Sequence, residues 1–296
     1  MSNPASNGTQ VVRTACVLDC PDNCGLDVTV ADGRVVQLDG IADNPVTDGY
    51  ICRKVRRFTE HMYGPERLAT PARRTGPKGS AEFTPISWDE AISEIVERIQ
   101  DVRRQFGAEA ILPFCYGGSN GLLPQNTTDA RLFRRLGTSR LARTVCGAVT
   151  ARAAEGLYGK MAGVAFDDYV HARLIVVWGT NPNASGIHLV PFVRQAQKSG
   201  AKLVVVDPRE TPLAKQADLH LPVFPGGDLA IALILIRELF ESGRADTEFL
   251  SEHTTGADEL RERAKPWTFE RAAERARVPV DDLRAALTPT VCGKFG

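Results

Sequence analysis

The sequence predicts an α/β protein: a doubly wound, Rossmann-like parallel sheet preceded by a small β-rich domain. Three observations lead there. Four cysteines, Cys16, Cys20, Cys24 and Cys52, crowd the first fifth of the chain and are interleaved with two short β-type runs. Downstream, uninterrupted apolar runs of strand length alternate with stretches of helical periodicity, the pattern of a parallel sheet covered on both faces. The 296 residues also exceed the size at which one core usually stops growing, so more than one domain is expected.

Composition narrows the class of function. Thirty-six Lys and Arg balance 36 Asp and Glu, so no global charge draws the chain to nucleic acid or anionic lipid. With 43% hydrophobic and 24% charged residues, the chain can bury a core. Its longest apolar run, Leu229 to Ile236, is far short of the roughly 20 residues that cross a bilayer, and no membrane span is expected. The start, Met1 to Ser6, lacks a basic patch, an apolar stretch and a twin arginine, which points to a cytoplasmic location. In that setting seven cysteines suit metal ligation better than a disulfide framework.

Taken in order, residues 1–11 read as a disordered tail and 12–67 as the cysteine domain. Within it, Leu26–Val30 and Arg34–Leu38 form a hairpin about the Asp32-Gly33 turn, which folds Cys52 back toward the first three cysteines. Residues 40–50 are turn-rich, and the Pro, Gly and basic stretch from Arg67 to Phe83 reads as a connector. An α/β domain follows over 68–290, with a tail at 291–296. It opens on a capping box at Ser87 and Glu90, and the helix that this starts carries Ile92, Ile95, Val96, Ile99 and Val102 as far as Gly107. Strands are expected over Ala110–Tyr116, Leu174–Trp178, Leu203–Asp207 and Leu219–Phe224, with helices near 126–136, 187–199 and 228–242. One or two charged helices are expected over 257–287.

Three cysteines at three-residue gaps, with a fourth returned by a hairpin, can surround one centre. Thiolates so spaced suit an iron–sulfur cluster, whereas structural zinc more often uses two separate C-x₂-C knuckles; zinc and purely structural thiols are the alternatives. Arg53, Arg56 and Arg57 read as a solvated face. Lys54, two positions after Cys52, is a candidate for tuning the cluster or bridging it to an anionic cofactor.

In an open parallel sheet, ligands bind beyond the carboxyl ends of the strands. Four loops fall there: Gly117–Gly121, Gly179–Asn183, Asp207–Glu210 and Pro225–Asp228. Together they suggest a nucleotide-containing ligand. Gly179 and Gly226 would admit close backbone approach, while Asn181, Asp207, Arg209 and Asp228 are candidate polar contacts. Neither G-x-G-x-x-G nor a phosphate-binding G-x-x-x-x-G-K-[ST] occurs. Cys146 precedes a predicted helix; periodicity alone reads it as a buried, inert residue, as it does Cys115 in a strand. His171 and His188 read as packed or solvated side chains, Asp167 and Asp168 as caps, and Cys292 as part of a loose tail.

These residues resemble a family, the molybdopterin-dependent oxidoreductases of the dimethyl sulfoxide reductase and formate dehydrogenase type. The resemblance runs through Cys16-Val-Leu-Asp-Cys20-Pro-Asp-Asn-Cys24, Cys52-Arg-Lys54, Pro65-Glu-Arg-Leu68, Ile86-Ser-Trp-Asp-Glu-Ala91, Trp178-Gly-Thr-Asn-Pro182, Asp207-Pro-Arg209 and Pro225-Gly-Gly-Asp228. It implies that the four cysteines hold a [4Fe–4S] cluster, with Lys54 between cluster and pterin. It further implies a molybdenum or tungsten atom on a bis-molybdopterin guanine dinucleotide cofactor, whose arms Asn181, Asp207 and Asp228 would hold. Cys146 matches the metal-binding position of the formate dehydrogenase branch, although Gly147 stands where that branch has a histidine. A small-molecule substrate and a redox partner or electron-transfer subunit are implied as well. Family catalytic subunits are substantially longer, so a truncated, frameshifted or split subunit is the expectation, with a non-catalytic electron-transfer or cofactor-binding protein as the alternative.

Overall fold

The computed structural model describes residues 8–18, 20–115, 127–142, 145, 147–161 and 163–288, and the chain divides into two compact units, 1–163 and 164–296.

The first unit opens with β1 (Thr9–Ala15), β2 (Gly25–Ala31) and β3 (Arg34–Gly40), an antiparallel sheet in that order. The β2–β3 hairpin turns at Asp32 and Gly33 as expected, and both residues adopt the positive φ that a tight hairpin demands, 49° and 75°. Strand β1 starts at Thr9, inside the segment expected to be a tail, because β2 offers it a free edge to pair with. On the buried face of β2 and β3, Leu26, Val28 and Leu38 pack with Ile51 and Val55 into a small core.

Next come α1 (Arg53–Arg56), α2 (Phe58–Tyr63), β4 (Ala72–Arg74) and β5 (Phe83–Pro85). The last two pair with each other, so the stretch read as a connector contains a hairpin; its Pro and Gly residues make the turn between the two strands. Then α3 (Trp88–Phe106) starts on the expected capping box, with Ser87 Oγ accepting from Glu90 N–H and the Glu90 carboxylate from Ser87 N–H, and ends at Gly107. No strand covers Ile111–Cys115: a single 3₁₀ turn at Ala108–Ala110 leads into irregular chain, where Pro113 lacks the N–H a ladder needs. Cys115 is therefore not a strand residue. The unit continues with α4 (Thr128–Leu136) and α5 (Gly147–Tyr158).

In the second unit Asp167 and Asp168 lie in a 3₁₀ helix over Phe166–His171. Strand β6 (Leu174–Trp178) follows, then α6 (Leu189–Lys198), β7 (Lys202–Val206) and β8 (Leu219–Leu221), with β6, β7 and β8 paired in parallel. Alternation along β7 divides its side chains between two cores. Leu203 and Val205 pack against Val190, Val193 and Ala196 of α6. On the other face, Val204 and Val206 pack under α7 (Asp228–Glu241). The chain then runs through α8 (Thr247–His253), α9 (Ala257–Ala264), α10 (Phe269–Ala276) and α11 (Val280–Ala285). Residues 257–285 thus form three short helices, because Pro266 and Pro279 interrupt what composition alone suggested to be one or two. No helix among the described residues is long and apolar enough to cross a membrane.

One carboxylate ties the strand starts of this sheet together. Asp218 accepts from Lys202 Nζ at 2.7 Å and from Leu203 N–H at 2.9 Å. Burial would raise its pKa, but these donors outweigh it and hold the carboxyl below its ordinary 3.8. The stabilisation is complete above that ordinary value and is lost as pH falls through the lower folded-state one. Asp218→Asn should cost about 1–2 kcal/mol at neutral pH, discounted for the partly exposed lysine, and should flatten the acid limb of a denaturant-melt stability profile.

Candidate functional site

Local structure in the first unit gathers the four cysteines. Cys16 follows β1 and Cys24 precedes β2, and the Cys16 N–H donates to the Cys24 carbonyl at 2.8 Å, closing the loop between them. Inside that loop the Asn23 N–H returns to the Cys20 carbonyl, with Asn23 itself in the left-handed region at φ 45°. Asparagine tolerates that region better than most side chains.

Cys52 arrives from the far end of β3 through two tight turns. Asn44 Oδ1 accepts from the Val46 and Thr47 N–H groups, each at 3.0 Å, an Asx turn that reverses the chain. At Gly40 the backbone runs so close to the next segment that an added Cβ would lie 2.7 Å from the Gly49 carbonyl carbon and 2.9 Å from Tyr50 N. Only a residue without a side chain permits this approach. Cys52 then sits immediately ahead of α1.

Cys24 is buried in the small core, and Cys16 and Cys52 pack against the same cluster. All four thiols are free of disulfides. Burial first, then the charges of Asp22, Cys16, Cys20 and Cys52, push the Cys24 thiol up to about 11. Cys24 is thus close enough to the other three sulfurs to feel their charge, and a polycationic centre would compensate the charge of such a donor set. The donor set fits an iron–sulfur cluster.

Among the basic residues after Cys52, Arg56 pairs with Asp39 at 2.7 Å and Arg57 with Glu60, the solvated behaviour expected of them. Lys54 lies exposed on α1.

In the second unit, three of the predicted loops emerge at the carboxyl ends of β6, β7 and β8 and are cross-linked there. Gly179 N–H donates to the Val206 carbonyl at 2.9 Å. Trp178 Nε1 donates to Asp228 Oδ1 at 2.7 Å, joining the end of β6 to the start of α7. The buried Asp207 accepts from Arg209 N–H at 2.7 Å through Oδ1, and its carbonyl lies 2.9 Å from His220 Nε2. Gly227 seats the last loop: a Cβ there would stand 2.7 Å from Ala276 Cα, and Arg277 stacks 3.8 Å above the Phe224 ring.

Gly179 and Gly226 hold positive φ, 61° and 89°, and both face open space. Asn181 Oδ1 and Asn183 Oδ1 are shut off from solvent and accept no hydrogen bond among the described residues. Unsatisfied acceptors of this kind call for a donor from elsewhere, and the amino and hydroxyl groups of a pterin nucleotide would serve. These loops fit such a group. Gly117–Gly121, Cys146 and Cys292 lie outside the described residues, while α5 does begin at Gly147.

Trp178 and His220 escaped the sequence reading as loop-organising residues. Their tie is to a carboxylate or carbonyl 50 and 13 residues away, and no local pattern records it.

The molybdopterin oxidoreductase Fe4S4 domain matches residues 9–64, and the molybdopterin oxidoreductase domain matches residues 67–267. The chain belongs to the molybdopterin oxidoreductase family, whose two matched domains are those of a [4Fe–4S] cluster and of a molybdenum or tungsten pterin cofactor. It is 39% identical to "Probable oxidoreductase YoaE" of Bacillus subtilis over 96% of this chain and 42% of the relative. Dimethyl sulfoxide reductase DmsA of Escherichia coli is 31% identical over 86% of this chain and 34% of its own length. The structure of acetylene hydratase from Pelobacter acetylenicus superposes with a TM-score of 0.72 at 27% identity, covering 93% of this chain and 38% of that one. The chain thus spans less than half the length of these relatives.

Gly40→Ala should destabilise the first unit by about 1–3 kcal/mol, because its methyl meets backbone that cannot yield cheaply. A denaturant melt checks the cost, and the iron bound per chain should fall with it.

Proposed function

We propose that this chain is the cofactor-holding part of a molybdopterin oxidoreductase catalytic subunit that passes electrons between a small-molecule substrate at the metal and a [4Fe–4S] cluster. The observation that carries the reading is that Cys16, Cys24 and Cys52 share one apolar core, with Cys20 near enough for its charge to act on Cys24, within a chain that also presents unsatisfied amide oxygens at its strand-end loops. Cys16, Cys20, Cys24 and Cys52 would ligate the cluster, and the exposed ammonium of Lys54 would offset its negative charge and raise its potential. Asn181, Asp207, Arg209 and Asp228, with the open backbone at Gly179 and Gly226, would hold guanine dinucleotide arms, in the bis form that the resemblance implies. Trp178 would keep one Asp228 oxygen occupied, so that the other faces the ligand.

Cys146, directly ahead of α5, would serve as a thiolate ligand to the molybdenum or tungsten, favoured by the helix N-terminus. When bound, the metal and pterin supply two-electron exchange with substrate and the cluster supplies one-electron relay. The protein's part is to place the groups and exclude water from the buried Cys24 sulfur. A redox partner or electron-transfer subunit would complete the circuit, and the proposed setting is cytoplasmic. Helices on both faces of β6–β8 support a doubly wound arrangement of the α/β layer, continued by further strands. In domain terms, we place the cluster domain up to residue 67 and the α/β domain from 68.

A second reading is a cluster-bearing electron-transfer or cofactor-binding protein without turnover. Anaerobic production in a host that makes the molybdenum cofactor distinguishes the two. The catalytic reading expects about four irons and four sulfides per chain, and molybdenum with about two guanine nucleotides for each metal atom. Iron without molybdenum supports the second reading, and stoichiometric zinc overturns both. Cys24→Ser should remove most of the iron and its visible charge-transfer absorption while leaving the second unit folded by circular dichroism.

A further inference from the structure

One carboxylate of the cysteine domain lies where a turn residue ordinarily does not. Asp22 stands in the turn that Cys20 opens and Asn23 closes, with the Asn23 N–H donating to the Cys20 carbonyl. Aspartate suits such turns, but turns run over the surface and leave it solvated. Here the residue is only 8% exposed, and its Oδ1 is shut off from solvent. Among the described residues of the first unit it is the one buried side chain that bears a charge, Thr47 being the other buried polar one. Burying a carboxylate is costly, and such costs collect at functional sites.

The neighbours of this charge are the proposed cluster ligands. A carboxylate oxygen of Asp22 and the Cys24 Sγ lie within 4.8 Å of each other. Cys24 is itself buried and packs with Leu26 and Ile51, so the pair is shielded from water. Burial is the first cause that pushes the Cys24 thiol up; among the charges, Asp22 acts most strongly, ahead of the other three cysteines. Burial and then the same carboxylate also push up the phenol of Tyr50, two residues before Cys52. Coulomb interaction strengthens as water is excluded, so a charge at this depth acts on a neighbouring redox centre far more than one at the surface. Lys54, by contrast, is exposed on α1, where solvent and salt screen it.

Reduction of a cluster held by these thiolates would add one negative charge beside a carboxylate that is already there. Net charge and solvent exposure are among the factors that set the potential of such centres. Resting on the cluster reading above, we propose that Asp22 is a tuning residue, whose buried carboxylate opposes the electron that a redox partner delivers and so holds the cluster at low potential. It touches no substrate, and its effect is exerted through space on the centre that Cys24 ligates. Asp22 and Lys54 then bias one centre in opposite directions, the buried carboxylate lowering its potential and the exposed ammonium raising it.

The test follows the cluster potential in the full 296-residue chain, produced anaerobically, with its iron content measured first. In a dye-mediated titration at neutral pH, read by the electron paramagnetic resonance of the reduced cluster, Asp22→Asn should favour the reduced form about tenfold or more, a midpoint at least about 59 mV higher. Asp22→Ser, a second uncharged variant, should move it in the same direction. Asp22→Glu keeps the charge and should stay within about twofold of the original chain, whereas a purely structural role predicts that it disturbs the centre as the others do. Asp32→Asn removes an equal charge from the exposed hairpin turn and should also change the ratio by no more than about twofold, because solvent screens that position. An unchanged or lowered midpoint in the uncharged Asp22 variants would overturn the proposal, as would an equal rise in Asp22→Glu or Asp32→Asn. Loss of iron from both uncharged variants would assign Asp22 to building the cluster site and overturn it as well. An original chain without iron refutes the cluster reading and the tuning role together, whereas iron with an unmoved midpoint refutes the tuning role alone.

Discussion

Everything proposed for the first unit depends on how closely two stretches of backbone approach at Gly40. That contact, with Gly49 and Tyr50 on the other side, lets a seven-residue hairpin strand turn straight back and deliver Cys52 to the loop that bears the other three thiols. The apolar residues beneath them are few: Leu26, Val28, Leu38, Ile51 and Val55. So small a core offers limited hydrophobic stabilisation, and below a certain size domains commonly rely on metal or other cross-links. A centre bound by four sulfurs would therefore complete the folding of this unit as well as equip it for electron transfer. The raised Cys24 thiol carries the same message, since the buried site favours deprotonation only when compensating positive charge is present.

The second unit achieves its order differently. Its sheet is sandwiched between helices, and its functional loops are cross-linked after the strands have been packed. Trp178 to Asp228, Gly179 to Val206 and His220 to Asp207 tie each strand end to another. Such ties preorganise a binding edge at little entropic cost when a ligand arrives, because the loops are already held. They also leave specific acceptors, Asn181 Oδ1 and Asn183 Oδ1, buried without donors among the described residues, which is the state expected of a cradle and not of a plain turn.

The two units contrast in how far their own residues satisfy them. Around β7 every strand residue after Lys202 is buried, and α7, α10 and α11 close over that sheet. Around α3 the opposite holds. A helix with an impeccable capping box and a regular apolar stripe is nevertheless left with that stripe in water. Helix formation is a local matter of caps and spacing, whereas burial requires a partner surface, and the two are decided separately.

Sequence alone determined the elements whose cause is local. The hairpin about Asp32-Gly33, the capped helix from Ser87, the three parallel strands and the positions of the four cysteines and strand-end loops all follow from turn chemistry, caps and apolar period. Where a local rule met a competing one the reading failed: Pro113 denied a strand to an apolar run, a connector rich in Pro and Gly closed a hairpin, and β1 began earlier than the polar tail suggested. Only the tertiary structure decided that Trp178 holds Asp228, that Gly40 lies against Gly49, and that α3 turns its apolar face outward. Those are contacts between residues distant in the chain, set by how finished elements pack, and no window of neighbouring residues contains the forces that choose them.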